Sequence, residues 1–315
     1  MKLGRSLSSA ATALAAALLV SPALAWDPQT SGPFFTGTAE TNPSGSGFFE
    51  PYVYDLRSAG AETISMPQRL NIGFFPNWDF SLSIPYEVKT ARLPGGGSAE
   101  SSGAGDATFW FKRQLSSDAD TSRFWALPAT SLEAVFTLPS GRYQDLNPGL
   151  ADTDQTGGGT FNEAVSVLMR KHFKPFMLYA QATDTVMNPT DAGPGFAFTG
   201  GQTLTAAERV VNGNMLSGAA TLEYVADDAR GLGALVEVWG QTQSNRSLLW
   251  RGTNAPAWSA LWAAPELEIA GPVTPGTDVV WGAGYMVPLL WSNTVRTSGP
   301  MFTVTLNFNG PSGHR

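Results

Sequence analysis

A transmembrane antiparallel up-and-down β-barrel of about twelve strands, following a cleaved signal peptide, is the fold this sequence predicts. Three observations predict it. Apolar residues recur at every second position over stretches of about ten residues, short and long connections alternate between those stretches, and aromatic residues gather at their ends. Beyond the first 25 residues no stretch approaches the apolar run of ~18 that marks a spanning helix. A membrane crossing therefore falls to strands, because only helices and closed barrels satisfy every backbone polar group in hydrocarbon.

Composition excludes other classes. Of 315 residues only 14% are charged while 11% are aromatic, the reverse of a disordered chain. A net charge of −7 argues against nucleic acid, whose phosphates need clustered Lys and Arg. With no cysteine there is no disulfide, thiolate metal site, covalent haem attachment or cysteine nucleophile. No cofactor is expected.

Residues 1–25 read as the export signal: Lys2 and Arg5 give a positive start, residues 10–20 an apolar stretch, and Ala23-Leu24-Ala25 a small-x-small cleavage site before Trp26. A retained anchor is the alternative, and the apolar run is short of the ~20 residues it needs. Residues 26–46, rich in Gly, Pro, Ser and Thr, read as an irregular periplasmic lead-in, residues 47–309 as the barrel and 310–315 as a tail.

The clearest strands stand at the two ends of the barrel region. Phe80, Leu82, Ile84, Tyr86 and Val88 alternate with Asp79, Ser81, Ser83, Glu87 and Lys89; Phe302, Val304, Leu306 and Phe308 alternate with Thr303, Thr305 and Asn307. Leu132, Ala134, Phe136 and Leu138 oppose Ser131, Glu133 and Thr137, and Leu216, Ala220, Leu222 and Tyr224 oppose Ser217, Thr221 and Glu223. Shorter alternations centre on Leu70, Phe109, Leu178, Val236, Leu267 and Tyr285, and residues 50–56 and 161–170 look extended with faces unassigned. Links at 76–78, 172–174, 227–231 and 271–277 are short, whereas 90–105, 139–160, 187–212 and 244–258 are long, the order of a barrel with both termini in the periplasm. A secreted β-sandwich also alternates, but it hides its apolar face and keeps its links short. Here Phe74, Phe75, Trp78, Phe80, Tyr86, Trp110, Phe124, Trp125, Phe173, Trp281 and Tyr285 cluster at strand ends as interfacial girdles do.

The lumen then carries the polar set. Inward positions include Arg69, Glu87, Lys89, Lys112, Glu133, Tyr179, Gln181, Glu223, Glu237, Gln241, Glu266 and Glu268, with acids outnumbering bases. Charged rings and pore width would set selectivity, with no covalent step. A closed barrel whose polar interior satisfies only itself is the alternative.

Catalytic and metal readings are weaker. A hydrolase needs a histidine beside its nucleophile. His314 lies in the tail and His172 at a short turn, flanked by Lys171 and Lys174, where a solvated turn residue is expected. Glu266 and Glu268 share a strand face and could hold a cation, though inward carboxylates are ordinary lining. Asp145, Asp152 and Asp154 share a glycine-rich loop without EF-hand spacing. Gly103-Ala104-Gly105-Asp106 leads into a strand, so it presents no helix N-terminus to a phosphate.

Ser83-Ile84-Pro85-Tyr86, then Gly103-Ala104-Gly105-Asp106, then residues 134–141 ending in Leu138-Pro139-Ser140-Gly141, resemble in order the outer-membrane transporter family named for the meta-pathway of phenol degradation. Ser140 stands where that family has Thr, and Phe308 is followed by seven further residues where barrels usually end on an aromatic. The resemblance covers about residues 65–185. It implies a bacterial outer-membrane location, with the lipid bilayer and the outer-membrane assembly machinery as partners, and passive passage of small, aromatic or hydrophobic solutes. An adhesive or structural barrel and an outer-membrane lipid hydrolase are the other functions to be weighed.

Overall fold

The computed structural model describes residues 32–308 except 94, 119–123, 200, 201, 228, 229, 249–251, 275 and 276, so the signal segment 1–25 and the tail 310–315 lie outside the described residues. The strands in chain order are β1 (Gly47–Ser58), β2 (Ala61–Phe75), β3 (Trp78–Arg92), β4 (Ser98–Ala104), β5 (Ala107–Ser116), β6 (Ala129–Leu138), β7 (Asn162–Phe173) and β8 (Phe176–Met187). Four short strands follow, β9 (Thr190–Ala192), β10 (Ala197–Thr199), β11 (Gln202–Thr203) and β12 (Glu208–Val211). Then come β13 (Met215–Asp227), β14 (Leu232–Gln243), the short β15 (Arg246–Leu248) and β16 (Thr253–Ala255), β17 (Trp258–Thr274), β18 (Thr277–Ser292) and β19 (Gly299–Phe308).

Every long strand pairs antiparallel with its neighbours around one sheet, and β1 closes on β19 with Gly47 opposite Phe308 and Tyr52 opposite Thr303. β4 and β5 make one stave: Ser98–Ala104 pairs with residues 86–92 of β3 and β5 with residues 78–83. The result is a closed barrel of twelve staves. Twelve strands ~4.8 Å apart and tilted ~40° close into a ring roughly 24 Å across at the backbone. Closure leaves no strand edge unpaired, which is what makes an apolar surround tolerable.

The outside of that ring is apolar. Leu222, Tyr224, Val236, Leu267, Ile269, Trp281, Tyr285 and Phe302 all stand exposed on the outer wall, while Ser131, Glu133, Ser166, Thr221, Glu223, Glu237 and Thr303 on alternate positions are buried. Water would penalise such a belt, whereas lipid does not. The barrel therefore spans a membrane. Residues 50–56 and 161–170 gain faces: Glu50, Tyr52 and Tyr54 point inward with Ser166, Leu168 and Arg170, and Val53, Val165, Val167 and Met169 outward. Leu267, 64% exposed near the middle of β17, gives a direct check. Replacing it with Arg is expected to destabilise the folded barrel by about 2–4 kcal/mol in urea titrations from liposomes; an unchanged midpoint would place this position outside hydrocarbon.

Three features differ from the sequence expectation. Residues 90–105 are not one long loop, because β3 continues to Arg92 and β4 follows. Ser98, Glu100 and Ser102 on the outer face of β4 are exposed polar residues, so the hydrophobic alternation that marks a strand is missing there. Trp110 faces the lumen, with its ring over the Arg69 guanidinium (5.3 Å), and not the lipid interface. His172 is fully buried, its backbone N–H donating to Asp118 (2.7 Å), and is not a solvated turn residue. Asp118 also takes the Lys171 ammonium, so a chain segment outside β7 covers this corner.

The longest connections are folded. β16, β15, β12 and β9 form a second sheet over one mouth of the barrel. Phe196, Leu146, Leu204, Val210 and Leu248 pack beneath it as a separate small core, with Tyr143 against its side.

Candidate functional site: the occupied lumen

The lumen is not an empty bore. Residues 32–46, expected as a lead-in outside the barrel, run inside it and sweep around the inner wall before entering β1. Phe35 N–H donates to both Glu237 carboxylate oxygens (3.0 and 3.2 Å), and Thr36 brings its N–H and its hydroxyl (2.5 Å) to Oε1 of the same residue. Gly37 N–H donates to Gln181 (2.7 Å). The carbonyl oxygens of Thr38 and Glu40 accept from Lys112 (3.1 and 2.7 Å), that of Ala39 accepts from Ser131, and the Glu40 carboxylate pairs with Arg170. Thr41 reaches Gln114, and Asn42 reaches Asp79 (2.9 Å) and Asn71 (2.5 Å). Contact with β14, then β8, β7, β6, β5, β3 and β2 means the segment circles more than half of the wall. At the exit the carbonyl oxygens of Asn42 and Pro43 lie so close to Gly73 that a Cβ there would sit 2.4 and 2.5 Å from them. Only glycine admits that approach.

The physical reason for the sweep is the inward polarity itself. A segment without helix or strand leaves its N–H and C=O groups unpaired, and these need partners once shielded from water. The inward carboxylates, amides and ammonium groups of the wall supply them. In return the segment covers charges that would otherwise face one another across the bore.

Phe34 and Phe35 extend the arrangement across the lumen. Tyr52 stacks on Tyr54 (5.6 Å between centroids), Tyr54 on Phe35 (5.7 Å), Phe35 on Trp239 (3.9 Å) and Trp239 on Trp262 (5.6 Å). This column of rings runs from β1 to β17 through the segment. Met286, Met301, Ala260 and Ala264 pack behind it and fill that side. On the other side, between residues 33–37 and the wall made by β1, β2, β3, β5 and β6, a cavity of about 440 Å³ remains. Arg69, Glu87, Asp106, Trp110 and Glu133 contribute to its lining.

All twelve residues predicted to line the lumen lie on inward positions, but they divide into groups. Arg69, Glu87, Glu133 and Gln181 line the cavity, with Lys89 paired to Glu87 (3.0 Å). Glu223, Glu237, Glu266 and Glu268 form an acid face on β13, β14 and β17, all buried, with Tyr179 donating to Glu223 (2.9 Å). Lys112 lies under the segment, 3.4 Å from Asp79, and Gln241 sits near the rim of β14. The sequence leaves out Glu50, Asn71, Arg170 and the whole ring column, while Asp79 stands on the polar face that alternation assigns it. Glu50 was reachable by alternation with Phe49 and Val53; the column was not, because its central ring comes from a segment with no periodicity.

The motifs singled out in the sequence meet at the cavity's mouth. Asp106 accepts from Gly141 N–H (2.9 Å) and Gly158 N–H (2.7 Å), and Ser140 Oγ accepts from Ala107 N–H (2.9 Å). Thr156 donates to the carbonyl oxygen of Ala104 (2.7 Å). Gly141 and Gly157 pass so closely that a Cβ on the former would lie 2.8 Å from the latter. The inward set changes here from odd positions in β4 to even ones in β5, so the stave is broken where the loop of residues 139–160 folds in. In that loop burial, then the Asp154 carboxylate, push the Asp152 carboxyl above the usual range, with Lys89 opposing. Asp145 stands exposed, and among the described residues no group of three acids or histidines gathers to hold a metal ion.

An outer-membrane channel from Pseudomonas putida F1 superposes on the chain with a TM-score of 0.63 at 11% identity, over 88% of this chain and 98% of that one. This is the fold of an outer-membrane channel. NanC porin gives 0.46 at 8% identity over 83% and 99%, and the Pseudomonas putida toluene transporter TodX 0.36 at 12% over 90% and 96%. No family model matches the chain, and no curated protein matches its sequence.

Proposed function

We propose that the protein is a bacterial outer-membrane channel for passive passage of small, aromatic or hydrophobic solutes. The observation that carries it is a cavity of about 440 Å³ left beside an internal segment in a barrel whose outside is lipid-compatible. That volume lies within the ~300–1,000 Å³ of small-molecule sites. It is bordered by rings of the column and by Trp110, surfaces on which an apolar solute loses little on leaving water. The twelve inward residues line or border the path, and solutes pass without any covalent step. The motif order around Asp106 supports kinship with the transporters named for phenol degradation, and it is the same order that builds the mouth of the cavity. Export follows cleavage before Trp26, and the assembly machinery inserts the barrel with both termini and the short turns on the periplasmic side.

Purified protein in planar bilayers is expected to conduct KCl in discrete steps and to admit small aromatic solutes into liposomes. Bilayers that stay silent, with protein that migrates as a folded, heat-modifiable barrel, would end the channel reading.

A further inference from the structure

We propose that the cavity is a binding site for small organic cations, protonated amines or quaternary ammonium groups carried on a hydrophobic body. The proposal rests on the channel reading above and names the solute class of the same site. Two features of the lining carry it: a buried carboxylate with no hydrogen bond or ion pair of its own among the described residues, and a wall of ring faces.

Glu133 lies in the cavity wall at 6% exposure and makes no hydrogen bond or ion pair among the described residues. Its cross-strand neighbour on β5 is Lys112. That ammonium is drawn away, donating to the Thr38 and Glu40 carbonyl oxygens and lying 3.4 Å from Asp79. Arg69 is the one cation among the lining residues, and its guanidinium is held over the rings of Phe48 (5.5 Å) and Trp110 (5.3 Å). Asp106, also in the lining, accepts from the neutral N–H groups of Gly141 and Gly158, whereas Glu87 is offset by Lys89. With Glu87 and Lys89 cancelling, two carboxylates face one guanidinium among the residues that line the cavity, and Lys112 behind Glu133 is shared with Asp79.

A carboxylate shielded from water, with Lys112 and Arg69 near but neither in direct contact, is costly, and a cation entering the cavity to meet it relieves that cost. Phe34, Phe35, Tyr52 and Tyr54 border the same space. Ring faces attract ammonium groups, most strongly where water is excluded. An anion of equal size finds the same rings and the opposite sign of field.

Calorimetric titration of the full chain in non-ionic detergent tests this with benzyltrimethylammonium against benzenesulfonate, two probes of similar bulk and opposite charge. The ammonium ion is expected to bind about tenfold tighter or better. Glu133→Gln is expected to weaken it by about fivefold and to leave the sulfonate bound as well as before or better, and Tyr54→Leu to weaken it by roughly threefold through the lost ring face. Equal affinities, a preference for the sulfonate, heat from neither probe, or folded variants that match the parent would overturn the proposal. KCl conductance is read in parallel. A protein that conducts without preferring the ammonium ion keeps the channel reading and loses this one, while one that binds it and never conducts loses the channel.

Discussion

Deleting residues 33–41 is expected to raise single-channel conductance by about threefold or more, the largest functional change any alteration of this chain should produce. The segment and its ring column fill one side of a bore that twelve strands make roughly 24 Å wide at the backbone, and current scales with the open cross-section. Folding should survive, because no pairing of the barrel staves uses these residues. The deletion leaves Glu237 without its three donors from Phe35 and Thr36, and it frees Lys112 and Arg170 from the segment's carbonyl oxygens and carboxylate. Those groups then meet water in a wider lumen, which limits the loss of stability. Planar-bilayer recordings on variant protein that still shows heat-modifiable migration would decide it. Steps of the parent's size would mean that the segment does not lie in the conducting path.

The second large effect is expected at Asp106. Its two oxygens hold the two ends of an inward-folded loop through Gly141 and Gly158, and hydrogen bonds to a charged acceptor contribute about 1.5–3 kcal/mol each. Asp106→Ala removes both. Allowing for water that replaces part of the loss, local opening becomes easier by about 2–3 kcal/mol, or ~30–150-fold in population. Arg142, exposed next to the latch, is the reporter. Trypsin added outside proteoliposomes should cut after Arg142 much faster in the variant, with the barrel itself intact. Equal cleavage rates would show that the Thr156 and Ser140 contacts hold the loop without Asp106.

The strands were legible wherever one face meets lipid and the other meets polar lumen. Phe302, Val304 and Leu306 against Thr303 and Thr305 announce their faces because each side chain has a single partition preference. β4 was hidden because it rises beyond the apolar belt, where both faces are polar and the alternation has no cause. Trp110 was placed at the interface on type alone, although its position alternates with Phe109 and Phe111 and so belonged inside. His172 was read as solvated from its lysine neighbours, yet the cover that buries it includes Asp118, which is distant in sequence.

By itself, then, the sequence determined that the chain forms staves, about how many, and which side chains leave water wherever apolar and polar residues alternate, because those choices depend on one residue and its nearest neighbours along a strand. What occupies the bore was decided by the tertiary structure alone. Residues 32–46 have no periodicity to read; they lie inside because closure brings Glu237, Gln181, Lys112, Arg170 and Asp79 from separate strands around one unpaired backbone, and that convergence exists only once the ring is shut.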